Sequence, residues 1–278
     1  MRLSQSIADL AGELEERGFI QLDDLVPEPA LELMRRGCDD LIRRTEDMRY
    51  STFGWQLEAE GEGGGWAARA AGKECIPGKV RVVGMAHEQS PDLAAIPELI
   101  NLNEGVVRPL HGVTGDFYNT YLWAKPSKVG SEKPWHQDAL FLKDEFYEKY
   151  EDVYTIWIAV DDAREDNGCL QFLPGSHRGR ILHQPDGIDP DDLFASPREP
   201  TLDIGKLWPD LTPVMLPRKA GSAVLFGGFT AHTSSPNTTE DQRRAVSYVY
   251  SLPRRDGGGS GETWIPRRHW GGSANNPR

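Results

Sequence analysis

A histidine and an aspartate two positions apart have the spacing of metal ligands. They are His136 and Asp138, in the run Pro134-Trp135-His136-Gln137-Asp138. On an extended backbone, side chains two positions apart point to the same face, so one metal ion can bind both. A lone His-x-Asp pair also arises by chance in a chain with 7 histidines and 43 acidic residues, and it is then a surface turn. The pair therefore predicts a metal site only together with a third ligand.

A third ligand is available in His232, which ends the run Phe229-Thr230-Ala231-His232 after a predicted strand at 222–226. It lies about one hundred residues beyond the first pair, and a β-barrel can return it to them. Two histidines and one carboxylate form a facial triad, which suits non-haem Fe(II) and leaves positions for a chelating cosubstrate and O2. Without the other two ligands, His232 is a histidine hydrogen-bonded at a strand end. Together, His136, Asp138 and His232 predict an iron site.

An arginine that can bind a carboxylate follows the third ligand. Arg243 lies eleven positions after His232 (243 minus 232), at the start of a predicted strand at 243–251. Its planar, two-donor fork suits the distal carboxylate of 2-oxoglutarate bound near the iron. Arg244 is the neighbouring candidate, but strand alternation lets only one of the two face inward. The alternative for either arginine is a solvated surface charge.

The N-terminal part of the chain has the pattern of helices. Apolar residues at helical spacing predict a helix at 5–17, which a glycine stop ends, then a short strand at 19–22 and a second helix at 28–45. Residues 49–78 carry several aromatic side chains around the run Gly61-Glu62-Gly63-Gly64-Gly65, which predicts an irregular segment. This segment is either a lid over an apolar ligand or a long loop anchored by its aromatic residues.

From residue 116 onward the pattern predicts β-structure. Short apolar runs separated by Pro, Gly, Asn and Asp predict strands at 117–125, 152–160, 168–173, 212–217, 222–226 and 243–251. Many short strands with few intervening helices favour a sandwich or barrel. The segment at 183–209 is rich in Pro and Asp and lacks clear periodicity, which predicts a long insertion between two strands. Like 49–78, it is a candidate lid.

The bulk properties of the chain limit its organisation and its partners. Its 278 residues fit a single domain with a helical part at about 1–115, a β-core at about 116–252 and a flexible, Gly-rich tail at about 253–278. A formal net charge of -12 without a basic stripe argues against nucleic-acid binding. Three widely spaced cysteines, an N-terminus unlike a secretory signal and no bilayer-spanning apolar stretch predict a cytoplasmic protein without a membrane partner.

Several motifs together resemble the phytanoyl-CoA dioxygenase family of Fe(II)- and 2-oxoglutarate-dependent oxygenases. The resemblance covers roughly residues 15–252. It rests on Trp135-His136-Gln137-Asp138, Trp157-Ile158-Ala159-Val160, Asn167-Gly168-Cys169-Leu170, Leu173-Pro174-Gly175-Ser176-His177, and His232-x-Ser234-x-x-Asn237 followed by Arg243. It implies a mainly β fold with flanking helices, the double-stranded β-helix, which is a jelly-roll or cupin-like barrel of two antiparallel sheets. The cofactors that it implies are Fe(II), 2-oxoglutarate as cosubstrate, and O2.

Carried over residue by residue, the family pattern gives roles to the metal-binding positions. The resemblance implies that His136, Asp138 and His232 bind the iron and that Arg243 binds the distal carboxylate of 2-oxoglutarate. Halogenating relatives have a small residue in place of the metal carboxylate, so Asp138 argues against halogenation.

The resemblance also implies contacts with the cosubstrate. It places Trp157 in the cosubstrate pocket, together with a basic residue of an early strand that is matched by Arg81. A further pocket position, often Met in relatives, is Tyr121 here, and Thr155 shares the face of Trp157 by strand alternation. For Trp157 and Tyr121 the alternative is core packing. For Lys125, at the end of the strand that holds Tyr121, the alternative to a place in the pocket is a charge on an edge strand.

The predicted function is that of a Fe(II)/2-oxoglutarate-dependent dioxygenase. Such an enzyme hydroxylates, or otherwise oxidises, an unactivated C–H bond of a small molecule and releases succinate and CO2. Two alternatives stay open: a catalytically silent module that binds metal or 2-oxoglutarate on the same fold, and an iron dioxygenase that does not use 2-oxoglutarate. The residues do not determine the substrate, the choice between hydroxylation and desaturation, or the oligomeric state.

Overall fold

The structure is a computed structural model that describes residues 5–61, 64–143, 145–188, 196 and 198–255. The predicted Gly-rich tail beyond residue 255 and part of the predicted insertion at 183–209 lie outside the described residues. No helix in the described ranges combines the length and the apolar composition that crossing a bilayer requires.

The α-helices lie mostly in the first part of the chain. In the described residues they are α1 (Ile7–Arg17), α2 (Glu28–Arg43), α3 (Gly64–Ala70), α4 (Ala86–Gln89), α5 (Pro91–Leu99), α6 (Arg108–His111), α7 (Phe146–Lys149) and α8 (Ile204–Leu207). A π-helical turn at Asn103–Val107 precedes α6, and 3-10 turns lie at Asp138–Phe141 and Arg178–Arg180.

The first two helices confirm the sequence prediction, and local capping explains their limits. The Ser6 side chain accepts a hydrogen bond from the backbone N–H of Asp9 at 3.2 Å, which satisfies a free donor at the start of α1. Gly18 ends this helix with φ +85°, a left-handed conformation in which its N–H donates to the carbonyl of Leu14. The second helix begins after Pro27 and buries one face, which includes Met34 and Leu41.

The strands form two antiparallel sheets. They are β1 (Phe19–Leu22), β2 (Trp55–Leu57), β3 (Val80–Gly84), β4 (Asp116–Lys125), β5 (Lys133–His136), β6 (Tyr150–Ala159), β7 (Leu170–Phe172), β8 (Val214–Leu216), β9 (Ala223–Gly227), β10 (His232–Ser234) and β11 (Arg243–Pro253). Within the described residues, one sheet has seven strands in the order β1-β9-β6-β11-β4-β3-β2, and the other has four in the order β5-β10-β7-β8. The predicted fold class, a double-stranded β-helix with flanking helices, is confirmed. The predicted helical part before residue 116 also supplies β1, β2 and β3 to the larger sheet.

Alternate residues of β6 separate the two parts of the core. Ile156 and Ile158 belong to the apolar cluster that includes residues of α2 and α5, on the helical side of the large sheet. Trp157 and Ala159 point to the other side and pack in a cluster with Phe172 of the small sheet. This alternation, which follows from the period of two along a strand, directs Thr155 and Trp157 into the space between the two sheets.

The prediction of an irregular segment at 49–78 was wrong in part. Trp55–Leu57 pairs with β3 as an edge strand, and the helix α3 begins inside the glycine run, at Gly64. A Cβ atom at Gly65 would collide with the carbonyl oxygen of Leu57, so glycine is required where α3 packs on β2. Composition alone favoured a loop, but close packing of the backbone of α3 on its neighbour decided the local structure.

Candidate metal centre and its cleft

The three predicted metal ligands meet at the edge of the small sheet. Strands β5 and β10 pair in a register that sets His232 opposite His136. Gln137 has an extended backbone (φ -111°, ψ 133°), which returns Asp138 to the side of His136. The Asp138 Oδ1 atom lies 3.5 Å from Nε2 of His136 and 3.7 Å from Nε2 of His232. All three ligand atoms lie within 4.8 Å of one another, close enough to hold one metal ion.

Hydrogen bonds around the triad orient each ligand. The Nδ1 atom of His136 donates to the carbonyl of Pro134 at 2.8 Å, and that of His232 donates to the carbonyl of Thr230 at 2.9 Å. Because a carbonyl oxygen can only accept, each Nδ1 carries hydrogen, and each Nε2 keeps its lone pair for a metal. The Thr155 hydroxyl donates to Oδ2 of Asp138 at 2.9 Å, which leaves Oδ1 toward the histidines.

The electrostatics of the triad favour the protonation states that bind a cation. Burial, assisted by the neighbouring His136, lowers the pKa of His232 to about 3, so its ring is neutral at pH 7. Burial by itself would raise the pKa of Asp138, but the adjacent imidazoles of His136 and His232 and the hydrogen bond from the Thr155 hydroxyl bring it below its usual value. A neutral imidazole and an ionised carboxylate are the forms in which these side chains bind Fe(II).

A glutamine between two of the ligands holds their loop in place. Gln137 is fully buried, and its amide donates to the carbonyls of Phe229 at 2.7 Å and Ile181 at 3.1 Å. Its side-chain oxygen accepts from the backbone N–H of His183 at 2.9 Å. No role for Gln137 was predicted from the sequence. The signal was present, because the alternation that aims His136 into the cleft sends Gln137 to the opposite side, where a buried amide must be hydrogen-bonded.

A cavity extends inward from the triad, between the two sheets. We call it the inner chamber, and its walls include Trp123, Lys125, Trp157, Leu170 and Arg243. Lys125 is buried on β4, between β3 and β11, so the alternative of an edge-strand charge was wrong. Its ammonium donates to the carbonyl of Ser131 at 2.5 Å. Trp123, which the sequence analysis missed, lies on the face shared by Tyr121 and Lys125, as the period of two along β4 could have shown.

Arg243 and Arg244 point in opposite directions from β11. Arg243 lies in the inner chamber with its guanidinium carbon 5.4 Å from the centre of the Trp157 ring. Its Nη2 donates to the carbonyl of Gly168 at 3.0 Å, whereas Nε and Nη1 are buried without a hydrogen-bond partner in the described part of the chain. Burial lowers its pKa to about 10. Arg244 forms an ion pair with Asp161 outside the chamber, so only Arg243 can meet a ligand there.

A second cavity opens outward from the same triad. We call it the outer chamber, and its walls include Trp66, Tyr118, Tyr121, Phe141 and Glu199. Tyr121 lines this chamber and is not part of the inner wall with Arg243.

Arg81 lies where the two chambers join, and its guanidinium already has partners. It forms an ion pair with Glu199, a hydrogen bond with the hydroxyl of Ser131 and a hydrogen bond of 2.9 Å with the carbonyl of Glu132. Glu58 lies 3.9 Å from it. Of the predicted cosubstrate contacts, the structure therefore brings Arg243 and Trp157 together, satisfies Arg81 within the protein, and bonds the Thr155 hydroxyl to the Asp138 carboxylate.

Several solved structures are similar in fold to this chain. The structure is similar to EvdO2 from Micromonospora carbonacea var. aurantiaca, solved in complex with 2-oxoglutarate, with a TM-score of 0.65 and 24% identity over 95% of this chain and 98% of that one. It is also similar to SnoK, a non-heme alpha ketoglutarate dependent carbocyclase from nogalamycin biosynthesis, with a TM-score of 0.64 and 22% identity over 90% and 85% of the two chains. At these identities the likeness shows the fold alone.

Sequence comparison gives the family. The chain is 36% identical over 132 residues to phytanoyl-CoA dioxygenase domain-containing protein 1 of Danio rerio, which covers 46% of this chain and 42% of that protein. It is 35% identical over 150 residues to the protein of the same name from Bos taurus, covering 52% and 46%. The chain therefore matches less than half the length of each of these relatives. The family model described as phytanoyl-CoA dioxygenase (PhyH) matches residues 14–245, and the chain belongs to this family.

Proposed function

We propose that the protein is a Fe(II)/2-oxoglutarate-dependent dioxygenase that hydroxylates, or otherwise oxidises, an unactivated C–H bond of a small molecule. In this proposal, His136, Asp138 and His232 hold the iron, and Arg243 binds the distal carboxylate of 2-oxoglutarate. The observation that carries it is the guanidinium of Arg243, buried in the same cleft as the triad with two nitrogens unpaired. An unpaired buried cation is unfavourable, and a carboxylate ligand removes that penalty.

The donor set of the triad fits ferrous iron. Two imidazole nitrogens and one carboxylate oxygen on one face are the ligand type of non-haem Fe(II) oxygenases. Ferrous iron together with 2-oxoglutarate and O2 supplies the oxidant for C–H cleavage, with release of succinate and CO2. The similar structures of EvdO2, with 2-oxoglutarate, and of SnoK support the same cosubstrate here.

Other residues of the cleft orient the metal ligand, line the cosubstrate site and receive the substrate. Thr155 fixes the Asp138 carboxylate, so that one oxygen faces the metal position. The Trp157 ring lies against the Arg243 guanidinium and, with Phe226 and Leu170, forms an apolar part of the wall of the inner chamber. The outer chamber begins at the same triad and receives the substrate, so that the C–H bond can approach through the cavity that Arg243 does not line.

The two alternatives left open by the sequence predict different behaviour of Arg243. An iron dioxygenase without 2-oxoglutarate has no use for a buried, unpaired guanidinium, whereas a silent module would bind 2-oxoglutarate and form no succinate.

We further propose the reducing cytoplasm as the location of the protein, since Cys38, Cys75 and Cys169 are all free thiols.

Anaerobic titration tests the proposal. The protein with Fe(II) should bind 2-oxoglutarate with a new visible charge-transfer absorption, and on exposure to O2 it should form succinate. Arg243→Ala should raise the 2-oxoglutarate concentration for half-saturation about 100-fold, because it removes the charged partner of a buried carboxylate. Iron binding in this variant should be unchanged. Arg243→Lys, which keeps the charge but loses the fork, should lie between the two.

Two results would contradict the assignment. If Arg243→Ala needs no more 2-oxoglutarate than the unaltered protein, Arg243 does not bind the cosubstrate. If the unaltered protein with iron shows neither the absorption nor any succinate, the chain is not a 2-oxoglutarate-dependent oxygenase.

A further inference from the structure

The outer chamber has walls made largely of aromatic rings. Trp66, Tyr118, Tyr121, Trp123 and Phe141 all line it. The rings of Tyr121 and Trp123 lie 5.4 Å apart and are tilted by 32°. Further lining is aliphatic, from Val82, Leu142, Val153 and Val249. Such walls bind flat, apolar ligands by ring stacking and by burial of apolar surface.

The charged side chains of this chamber already have partners. Lys133 lies 2.6 Å from Glu199, and Arg81 forms an ion pair with the same carboxylate. The second carboxylate near Arg81 is Glu58, at 3.9 Å. The Lys133 ammonium also lies 5.0 Å from the centre of the Phe141 ring. Glu199 and Glu58 therefore compensate the charges of Arg81 and Lys133, whereas Arg243 in the inner chamber has no such carboxylate partner among the described residues.

We infer, on the basis of the proposed function, that the substrate is an uncharged, ring-containing small molecule that stacks between the aromatic walls of the outer chamber. A coenzyme A ester carries several phosphate charges that need cationic partners. Arg81 and Lys133 are already paired with Glu199 and Glu58, so they do not offer the phosphates a free positive charge. An ammonium ligand would bind on the faces of Trp66 and Phe141, but the Lys133 ammonium already lies over both rings and would repel it.

The mouth of the chamber supports the same ligand class. Tyr118 lines the chamber and yet is 48% exposed, and its ring packs edge-on against Phe146 at 6.0 Å. A large aromatic side chain at the opening presents an apolar face to an arriving ring. Tyr50 is a matched control, because it is 51% exposed but is not among the residues that line either described chamber.

Fluorescence titration of the whole chain tests this inference with three probes. N-phenyl-1-naphthylamine is the uncharged aromatic probe, octanoyl-CoA the polyanionic ester and choline the cation. The aromatic probe should bind, and neither of the other two should displace it at concentrations tenfold higher. Tyr118→Ala should weaken its binding about tenfold, since it removes one stacking ring, whereas Tyr50→Ala should leave it unchanged.

Three outcomes would overturn the inference. In the first, octanoyl-CoA binds as tightly as the aromatic probe and displaces it. In the second, choline does so. In the third, Tyr50→Ala weakens the aromatic probe as much as Tyr118→Ala, which would show that the probe binds elsewhere on the surface.

A paramagnetic measurement keeps this inference separate from the proposed function. Mn(II), which accepts the same nitrogen and oxygen ligands, should broaden the proton resonances of the bound aromatic probe if metal and probe share the cleft. Broadening that Tyr118→Ala abolishes supports both proposals. Tight binding that depends on Tyr118 but shows no Mn(II) broadening supports the ligand class and contradicts the metal centre.

Discussion

Two buried arginines in the same cleft have opposite environments. Arg81, where the chambers join, and Arg243, in the inner chamber, are only 6% and 2% exposed. Arg81 has the carboxylate of Glu199, a hydroxyl and a backbone carbonyl as partners, with Glu58 nearby. Arg243 has one hydrogen bond to a backbone carbonyl and an aromatic ring beside it. Residue type and burial are alike, and only the partners differ.

This difference separates a structural charge from a ligand-binding charge. A buried guanidinium held by carboxylates belongs to the architecture, because removing it strands those carboxylates in an apolar setting. A buried guanidinium without a carboxylate is kept despite an unfavourable desolvation energy, which is expected where a ligand completes the pair. We therefore propose that the inner chamber holds the cosubstrate and that the outer chamber holds the substrate.

The largest expected effect comes from the triad at which the two chambers meet. Asp138→Ala removes the single carboxylate of the set, so it should weaken Fe(II) binding by more than about 100-fold, beyond the effect of losing an outer-shell partner. Anaerobic titration with Fe(II) measures this. Asp186→Ala is the control, since Asp186 is an exposed aspartate paired with Lys206, and it should bind iron normally. Tight, stoichiometric iron binding by Asp138→Ala would show that Asp138 is not an iron ligand and that the metal does not lie where the two chambers meet.

The comparison of the two arginines predicts that their substitutions change the free energy of unfolding by different amounts. Arg81→Met leaves Glu58 and Glu199 buried with one cation fewer, so it should lower the free energy of unfolding by about 3–5 kcal/mol. Among the described residues, no carboxylate forms a hydrogen bond or an ion pair with Arg243, so Arg243→Met should change the free energy of unfolding by no more than about 1 kcal/mol or raise it. Urea unfolding without metal or 2-oxoglutarate measures both.

Adding the ligands extends this test. With iron and 2-oxoglutarate at one hundred times its dissociation constant, the unaltered protein should gain about 2.7 kcal/mol, and Arg243→Met should gain far less from 2-oxoglutarate. If Arg243→Met is destabilised more than Arg81→Met in the absence of ligands, Arg243 is a structural charge and the distinction between the chambers fails.

The sequence predicted the inner part of the cleft better than the outer part. The ligands His136, Asp138 and His232 and the cation Arg243 lie on strands or directly after them, where a period of two fixes which side chains share a face. Once strands at 117–125, 152–160 and 243–251 are recognised, their inward residues follow from alternation. The same rule allowed only one of Arg243 and Arg244 to face inward; the resemblance favoured Arg243, and the structure places Arg243 in the inner chamber.

The outer chamber could not be predicted in the same way, because it is assembled from distant segments without a shared periodicity. Trp66 comes from the glycine-rich segment and Glu199 from the predicted insertion, 133 residues apart (199 minus 66). The pairing of Arg81 with Glu199 joins positions that no local pattern connects. Arg81 was therefore assigned to the cosubstrate by resemblance, whereas its bonds are to protein groups.

The smallest effect distinguishes two roles for Thr155, which the sequence placed beside the cosubstrate and the structure bonds to Asp138. Thr155→Val keeps the size of this buried side chain but leaves Oδ2 of Asp138 without its donor. If Thr155 orients the ligand, Fe(II) affinity should fall about tenfold while 2-oxoglutarate affinity at saturating iron stays the same. Thr155→Ser, which restores the hydroxyl, should recover iron binding. The reverse result, normal iron affinity with weakened 2-oxoglutarate binding, would show that the Thr155 hydroxyl acts on the cosubstrate and does not orient the metal carboxylate.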